Sequence, residues 1–363
     1  MTTNNFSEDF IFGKDGFGIV YKGDLSVTLI AVKRSISGLM GQNGQQEFKT
    51  EIDVLRKVRH RNLVALLGYY VDGQERLLVY EFMPKGTLGH HLFEWESGNA
   101  PPLSCKQRLV ISSLDIARGI EYLHSLAQEI FIHRYLKHAN ILRDKDLNAK
   151  VSDFGLVKLA THNKMSMTTQ VARTFGYLAP EYASTRKVSA KVDAYAFGVI
   201  LLEIITGRKV LVESFLPDDN LVSVFRREFT QEKNKILNSM ADRVLEFDDK
   251  TQKSLMEVAD LAWHCTCREP YQRPDMSHIV NTLSPLIEPW QPPTTNDIEN
   301  EDDSTYILTE ILERCSAAAT SKGIPLFLLI FPADEPATGL VYLITTIKYN
   351  SALPASGLVN GNN

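Results

Sequence analysis

Cysteine is scarce, at four in 363 residues. A chain this long cannot be held by a disulfide framework of that size, which points to a reducing compartment. Glycine (21) and proline (15) are too sparse for a collagen-like or low-complexity chain. A basic excess is missing: 39 Lys and Arg stand against 44 Asp and Glu, a net charge of −5. That balance argues against a dedicated nucleic-acid binder. Long apolar runs are missing as well. The longest late one, Ile324 to Phe331, ends at Pro332, far short of the ~20 residues a spanning helix needs. The opening residues Met1 to Asp9 have neither the positive segment nor the apolar core of a signal peptide. Together these absences read as a soluble, cytoplasmic chain with no direct membrane insertion.

What is present looks globular. Hydrophobic residues are 44% and charged residues 23%, which excludes disorder throughout. The length allows about two domains of ~150 residues, or one large two-lobed domain. The charge is unevenly placed: from Pro274 to Glu313 there is no Lys or Arg and there are nine acidic residues. The body is therefore near neutral, with an acidic segment behind it.

Three β-branched runs suggest strands early in the chain: Gly18 to Lys22, Leu29 to Lys33 and Leu77 to Phe82. Between them, Phe48, Ile52 and Leu55 fall at helical spacing and predict an amphipathic helix over 45–58. Glu51 lies on that apolar face, and an unpaired carboxylate there would be costly, so it calls for a partner. From Lys106 the pattern turns helical, with Leu109, Ser113, Ile116, Ile120 and Leu123 stepping by four and three. Residues 192–205 are apolar nearly all round, which predicts a helix buried on every side. Two more helices fit 255–265 and 276–286. The coarse expectation is a small strand-rich lobe followed by a larger helical one. After Leu286, Pro289-Trp-Gln-Pro-Pro and the acidic run read as a linker, and residues 304–363 show no clear core.

Gly13-Lys-Asp-Gly-Phe-Gly-Ile-Val20 precedes a strand. Its glycines would let backbone N–H groups approach phosphate oxygens, although a plain glycine-rich hairpin reads the same way; the spacing does not match the dinucleotide fingerprint. Ala31-Val-Lys33 is on the next strand, and Glu51 is the natural partner for Lys33. Then follow His133-Arg-Tyr-Leu-Lys-His-Ala-Asn140, Asp153-Phe-Gly155, Ala179-Pro-Glu181, Asp193 at the head of the buried helix, and Arg273. Any one of these is weak, but the ordered set is not. Over roughly residues 9–288 the chain resembles the protein kinase family. Lys137 resembles the Ser/Thr-specific class. Leu78-Val-Tyr-Glu-Phe-Met-Pro-Lys-Gly86 and Phe175-Gly-Tyr-Leu-Ala-Pro-Glu-Tyr182 are similar to plant receptor-like kinases. Ile205-Thr-Gly-Arg-Lys209 and Cys267-Arg-Glu-Pro-Tyr-Gln-Arg-Pro-Asp-Met276 resemble their transmembrane-kinase subfamily.

The resemblance implies an α+β, two-lobed fold with an N-lobe over about 9–83 and a C-lobe over 84–288. Residues 1–8 would be a juxtamembrane-like lead-in, 289–303 an acidic linker and 304–363 an unassigned tail. Full-length relatives are implied to sit in the plasma membrane. ATP and Mg²⁺ are the implied cofactors. Gly13 and Gly18 belong to the phosphate loop, and Lys33, held by Glu51, would bind the α/β-phosphates. Asn140 and Asp153 would hold Mg²⁺, and Lys137 would steady the γ-phosphate. Val20, Ala31 and Leu142 would enclose adenine, with backbone groups of Glu81 and Met83 bonding it. Tyr80 occupies the gatekeeper position. Arg134 could pair with a phosphothreonine from the loop 156–178, where Thr168, Thr169 and Thr174 are candidates.

The departures from the pattern carry the most information. Position 135 should be the catalytic Asp and is Tyr. A phenol of ordinary pKa ~10 offers no carboxylate at neutral pH. Loss of a general base typically costs 10²–10⁴-fold, or about 3–5 kcal/mol. Asp15 stands where a glycine belongs; a carboxylate ~4 Å from a phosphate charge costs about 4 kcal/mol at an effective dielectric of 20. Arg173, His138, Arg143 and Cys105 also depart from the family. Cys265 and Cys267 read as buried apolar residues rather than metal ligands. His90 and His91 read as surface residues. The leading expectation is an ATP-binding but catalytically impaired kinase that acts by engaging a protein substrate or partner kinase, a membrane-bound relative among them. The alternatives are an active Ser/Thr kinase, in which Lys33 and the Mg²⁺ ligands suffice, and a truncated product without function.

Overall fold

A computed structural model describes residues 3, 6–14, 18–25, 28–35, 42–72, 75–95, 102–126, 129–160, 167–168, 176–210, 220–233, 236–245, 248–287, 327–328 and 343–344. The first part is an antiparallel sheet of five strands: β1 (Ile11–Lys14), β2 (Gly18–Leu25), β3 (Thr28–Ser35), β4 (Leu66–Asp72) and β5 (Glu75–Glu81). Their spatial order is β1-β2-β3-β5-β4. One helix, α1 (Gln42–Leu55), crosses over between β3 and β4.

The register of this sheet divides its side chains cleanly. Val20 pairs with Lys33, which pairs with Leu78; Lys22 pairs with Ala31, which pairs with Tyr80. Paired residues on neighbouring strands share a face, so these six form one face. Ile30, Val32, Leu77 and Val79 form the other, buried with Leu67 under Phe6 and Tyr70. Gly18 is needed where it stands: a Cβ there would lie 2.5 Å from the Arg34 carbonyl oxygen of β3.

The second part is mainly helical. It contains α2 (Leu88–Phe93), α3 (Asp115–Ser125), α4 (Pro180–Thr185), α5 (Lys191–Thr206), α6 (Leu221–Glu232), α7 (Ile236–Met240), α8 (Asp249–Cys265) and α9 (Met276–Ile287). Short antiparallel pairs join Ile130–Ile132 to Lys158–Ala160 and Ile141–Arg143 to Ala149–Val151. The helix predicted from Lys106 has two regimes, a π-helical stretch Gln107–Leu114 running into α3. The nearly all-apolar run becomes α5, in which every residue from Val192 to Thr206 is buried. A helix with no polar stripe has nothing to offer water and belongs at the centre of a lobe. It ends at Gly207, at φ +62°, in a conformation that side chains rarely adopt. No described helix is long and apolar enough to cross a membrane.

Several polar groups inside this core find buried partners. Arg108 is fully buried, and its guanidinium donates to the Leu103 and Ile204 carbonyls and to Asp242. Cys265 and Cys267 are buried. His91, read as a surface residue, is buried and bonds the Lys85 carbonyl through Nε2 at 2.7 Å. The first turn of α2, capped by Thr87, carries it inward.

His60 illustrates how burial becomes pH dependence. Its ring stacks on Tyr122 with centroids 4.9 Å apart, and its Nδ1 accepts the Asn62 N–H at 3.2 Å. Desolvation, aided by Arg61, Arg118 and Lys150, lowers its pKa from 6.5 to about 4. Below pH 6.5 the unfolded chain therefore takes up the proton before the folded one, and stability is lost until about pH 4. Urea midpoints measured across that window should fall less steeply for His60→Gln than for the natural chain. Identical slopes would show that the ring contributes nothing.

Candidate active site

The site lies where the inner face of the sheet meets the loops around 133–143 and 152–156. Lys33, on β3, and Glu51, on α1, are both buried, with Nζ and Oε2 3.9 Å apart. Burial raises the Glu51 pKa, and Asp153 adds to this; Lys33 and hydrogen bonds from Tyr80 and the Phe154 N–H oppose it. The Phe154 N–H reaches Glu51 Oε1 at 3.4 Å, and the Phe154 ring is fully buried against His133. A small pocket opens here, lined by Lys33, Glu47, Phe48, Glu51, Asp153 and Leu156.

Asp193, at the start of α5, organises the loop opposite. It accepts the His133 and Arg134 backbone N–H groups, each at 2.8 Å, and His124 Nε2 at 2.9 Å. Burial pushes its pKa up, but His124 and these donors outweigh it, and the net direction is down. The reward is geometric: Arg134 is held at φ +67°, a strained conformation for a side chain with a Cβ. Its guanidinium donates to the Leu156 carbonyl at 2.9 Å and the Tyr182 hydroxyl at 2.5 Å. Asp153 has the same unusual backbone, at φ +67°. Burial lowers the His133 pKa; its Nδ1 accepts the Tyr135 N–H, and its Nε2 meets the Ser152 carbonyl at 3.2 Å.

Tyr135, Leu136 and Lys137 follow this turn. Leu136 points into the core, at 1% exposure, and its neighbours are only half-buried. In extended backbone, residues two apart share a face, and here Tyr135 and Lys137 meet. Lys137 Nζ donates to the Tyr135 hydroxyl at 2.9 Å and lies 4.1 Å from the ring centroid. The Tyr135 carbonyl accepts Asn140 Nδ2 at 2.8 Å. That bond leaves the Asn140 amide oxygen as the donor it can offer a cation. One amide oxygen and the Asp153 carboxylate, completed by water and phosphate oxygens, suit Mg²⁺, which seldom uses an all-protein cage. Among the described residues, no group of three or more His, Cys, Asp or Glu side chains could hold a metal.

The remaining positions fall as follows. Val20 and Ala31 lie on the sheet face that carries Lys33, and Leu142 is half-buried on the Ile141–Arg143 strand. The Glu81 carboxylate accepts the Ala65 N–H and Lys150 Nζ, so only its backbone could serve a ligand. The Met83 carbonyl accepts the Gly86 N–H. Gly13 is in β1, where a Cβ would meet nothing within 4 Å. Asp15, Thr169, Arg173 and Thr174 lie outside the described residues; Thr168 is in a two-residue strand that pairs with Lys187–Val188.

Two arrangements went unseen in the sequence. His138 Nδ1 lies 2.6 Å from the Tyr177 hydroxyl and 3.1 Å from the buried Glu203 carboxylate. The Tyr177 hydroxyl donates to Glu203 at 2.7 Å, and burial beside that carboxylate drives its pKa upward. Arg143 is fully buried, and its guanidinium donates to the Leu147 carbonyl. Desolvation lowers its pKa to about 10.

A two-lobed α+β fold, a strand lysine paired with a helix glutamate and an Asp-Phe-Gly turn beneath them define a protein kinase. The comparison agrees: the family of protein tyrosine and serine/threonine kinases matches residues 8–283, and the chain belongs to it. Its relatives include receptor protein kinase WSS1 of Oryza sativa, 59% identical over 84% of this chain and 33% of that protein. Receptor-like kinase TMK4 of Arabidopsis thaliana is 55% identical over 89% of this chain and 35% of its own length. A probable serine/threonine-protein kinase of Arabidopsis thaliana, PBL25, is 42% identical over 78% of this chain and 73% of its own. The chain thus spans about a third of the length of the receptor kinases it matches. It has the serine/threonine receptor-like kinase fold, in a family whose members use ATP and Mg²⁺.

Proposed function

We propose that this chain binds Mg-ATP and passes phosphate to other proteins weakly or not at all, working instead by engaging a substrate or a partner kinase. The observation that carries this reading is Tyr135. It occupies the position of the base, has no carboxylate, and takes Lys137 as its hydrogen-bond partner at 2.9 Å. In this reading Lys33, oriented by Glu51, binds the α/β-phosphates. Asn140 and Asp153 hold Mg²⁺, which neutralises phosphate charge. Val20, Ala31 and Leu142 cover adenine, and backbone groups of Glu81 and Met83 fix its edge. Gly13 and Gly18 flank the loop over the phosphates.

The assembled Lys33–Glu51 pair and the buried Phe154 favour a second reading, an active but slow Ser/Thr kinase. Positioning and charge then carry transfer without a base. Thermal unfolding with and without Mg-ATP tests the shared part. Nucleotide at 100 times its Kd should stabilise the natural chain by about 2.7 kcal/mol. Lys33→Met should lose most of that shift. Equal behaviour of the two proteins would overturn the nucleotide-binding reading.

A further inference from the structure

We propose that Tyr135 is itself a phosphoryl acceptor, modified within its own molecule. The inference rests on the nucleotide-binding reading above and adds to it. A Tyr hydroxyl stands about one hydrogen-bond length, roughly 2.7 Å, further from its Cα than an Asp carboxylate oxygen does. An Asp at position 135 would reach the acceptor hydroxyl across one hydrogen bond. A Tyr on the same Cα therefore places its own hydroxyl near the seat of the acceptor oxygen. Lys137 marks that seat: its Nζ, assigned above to the γ-phosphate, is 2.9 Å from the Tyr135 hydroxyl. The backbone beneath is fixed, because Asp193 holds the Arg134 N–H and Asn140 holds the Tyr135 carbonyl.

Chemistry makes this acceptor less dependent on a base than an alcohol would be. A phenol gives up its proton more readily than an alcohol does, and phosphoryl transfer passes through a loose transition state that asks little of the nucleophile. Lys137, already on the oxygen, would offset negative charge as it develops there. In the step, the Tyr135 oxygen bonds to the γ-phosphorus as the bond from that phosphorus to the β-bridging oxygen breaks. ADP leaves with the bonding pair, and the phenol proton passes to an oxygen of the transferred group and then to water. The product occupies the acceptor seat, so each chain turns over once.

The test uses the full chain with Mg-ATP, read by intact mass, peptide mapping and thermal shift. The expected result is a single phosphate on Tyr135, acquired at a first-order rate that about tenfold dilution leaves unchanged, as an intramolecular step requires. Tyr135→Phe should keep the Mg-ATP shift and gain nothing at this position. A Lys33→Met copy mixed with the natural chain should stay unmodified. Lys137→Met should slow the modification at least about tenfold, the lower range for a group acting in the transition state. A normal shift with no phosphate on Tyr135 would overturn this inference alone. So would phosphate appearing on Tyr135 of the Lys33→Met copy. Absence of any Mg-ATP shift would overturn both this inference and the reading it rests on.

Discussion

Tyr135→Asp is expected to raise transfer to a second protein by about 10²–10⁴-fold, the usual worth of a general base. The surroundings needed for this gain are already in place. Asp193 fixes the turn through the His133 and Arg134 N–H groups, and Asn140 fixes the Tyr135 carbonyl. An aspartate would inherit that backbone, and Lys137 would lose a phenol and gain a carboxylate neighbour. Tyr135→Asn separates the two defects, since it removes the bulk without supplying a base. Initial rates on a generic basic protein substrate should therefore rise for Asp far more than for Asn. A large gain for Asn would show that the phenol obstructs the site and that the missing base matters little.

The second large effect concerns stability. Arg273 is buried at 1% exposure, and its guanidinium donates to Glu181 through two bonds of 2.7 and 2.8 Å. It also donates to the Cys267, Lys191 and Arg268 carbonyls. This one residue ties the start of α4 to α5 and to the turn before α9. Glu181→Ala leaves the guanidinium buried without its counter-charge, which costs about 3–5 kcal/mol. For a domain of this size each kcal/mol lowers Tm by roughly 2–4 °C, so calorimetry should show a drop of about 10 °C. A change within about 1 °C would mean that water or another carboxylate replaces Glu181, contrary to the burial described.

Much of this architecture is legible in the sequence because periodicity and charge placement are local properties. Glu51 stands out as a carboxylate on an apolar stripe, and α5 as a run without a polar face. That Tyr135 stands where the kinase resemblance implies an aspartate is visible in the sequence. Strand β4 is harder to see: Leu66 and Leu67 are both buried, and the register shifts between Leu66 and Gly68. A bulge there erases the alternation that marks a strand. The π-helical stretch 107–114 fits helical spacing without revealing its wider turns. Pairings such as Glu181 with Arg273, or His138 with Glu203, join residues far apart in sequence, and no local pattern encodes them. The Lys137–Tyr135 bond is local but emerges only from the structure, where the two side chains meet.

The claim that Tyr135 withholds phosphate from other proteins is tested most directly by mixing. The natural chain or Tyr135→Asp is incubated with Mg-ATP and a Lys33→Met copy of different mass, and the copy's mass is followed. Tyr135→Asp should phosphorylate the copy while the natural chain leaves it bare. Phosphorylation of the copy by the natural chain at a comparable rate would contradict it and make this protein an active kinase.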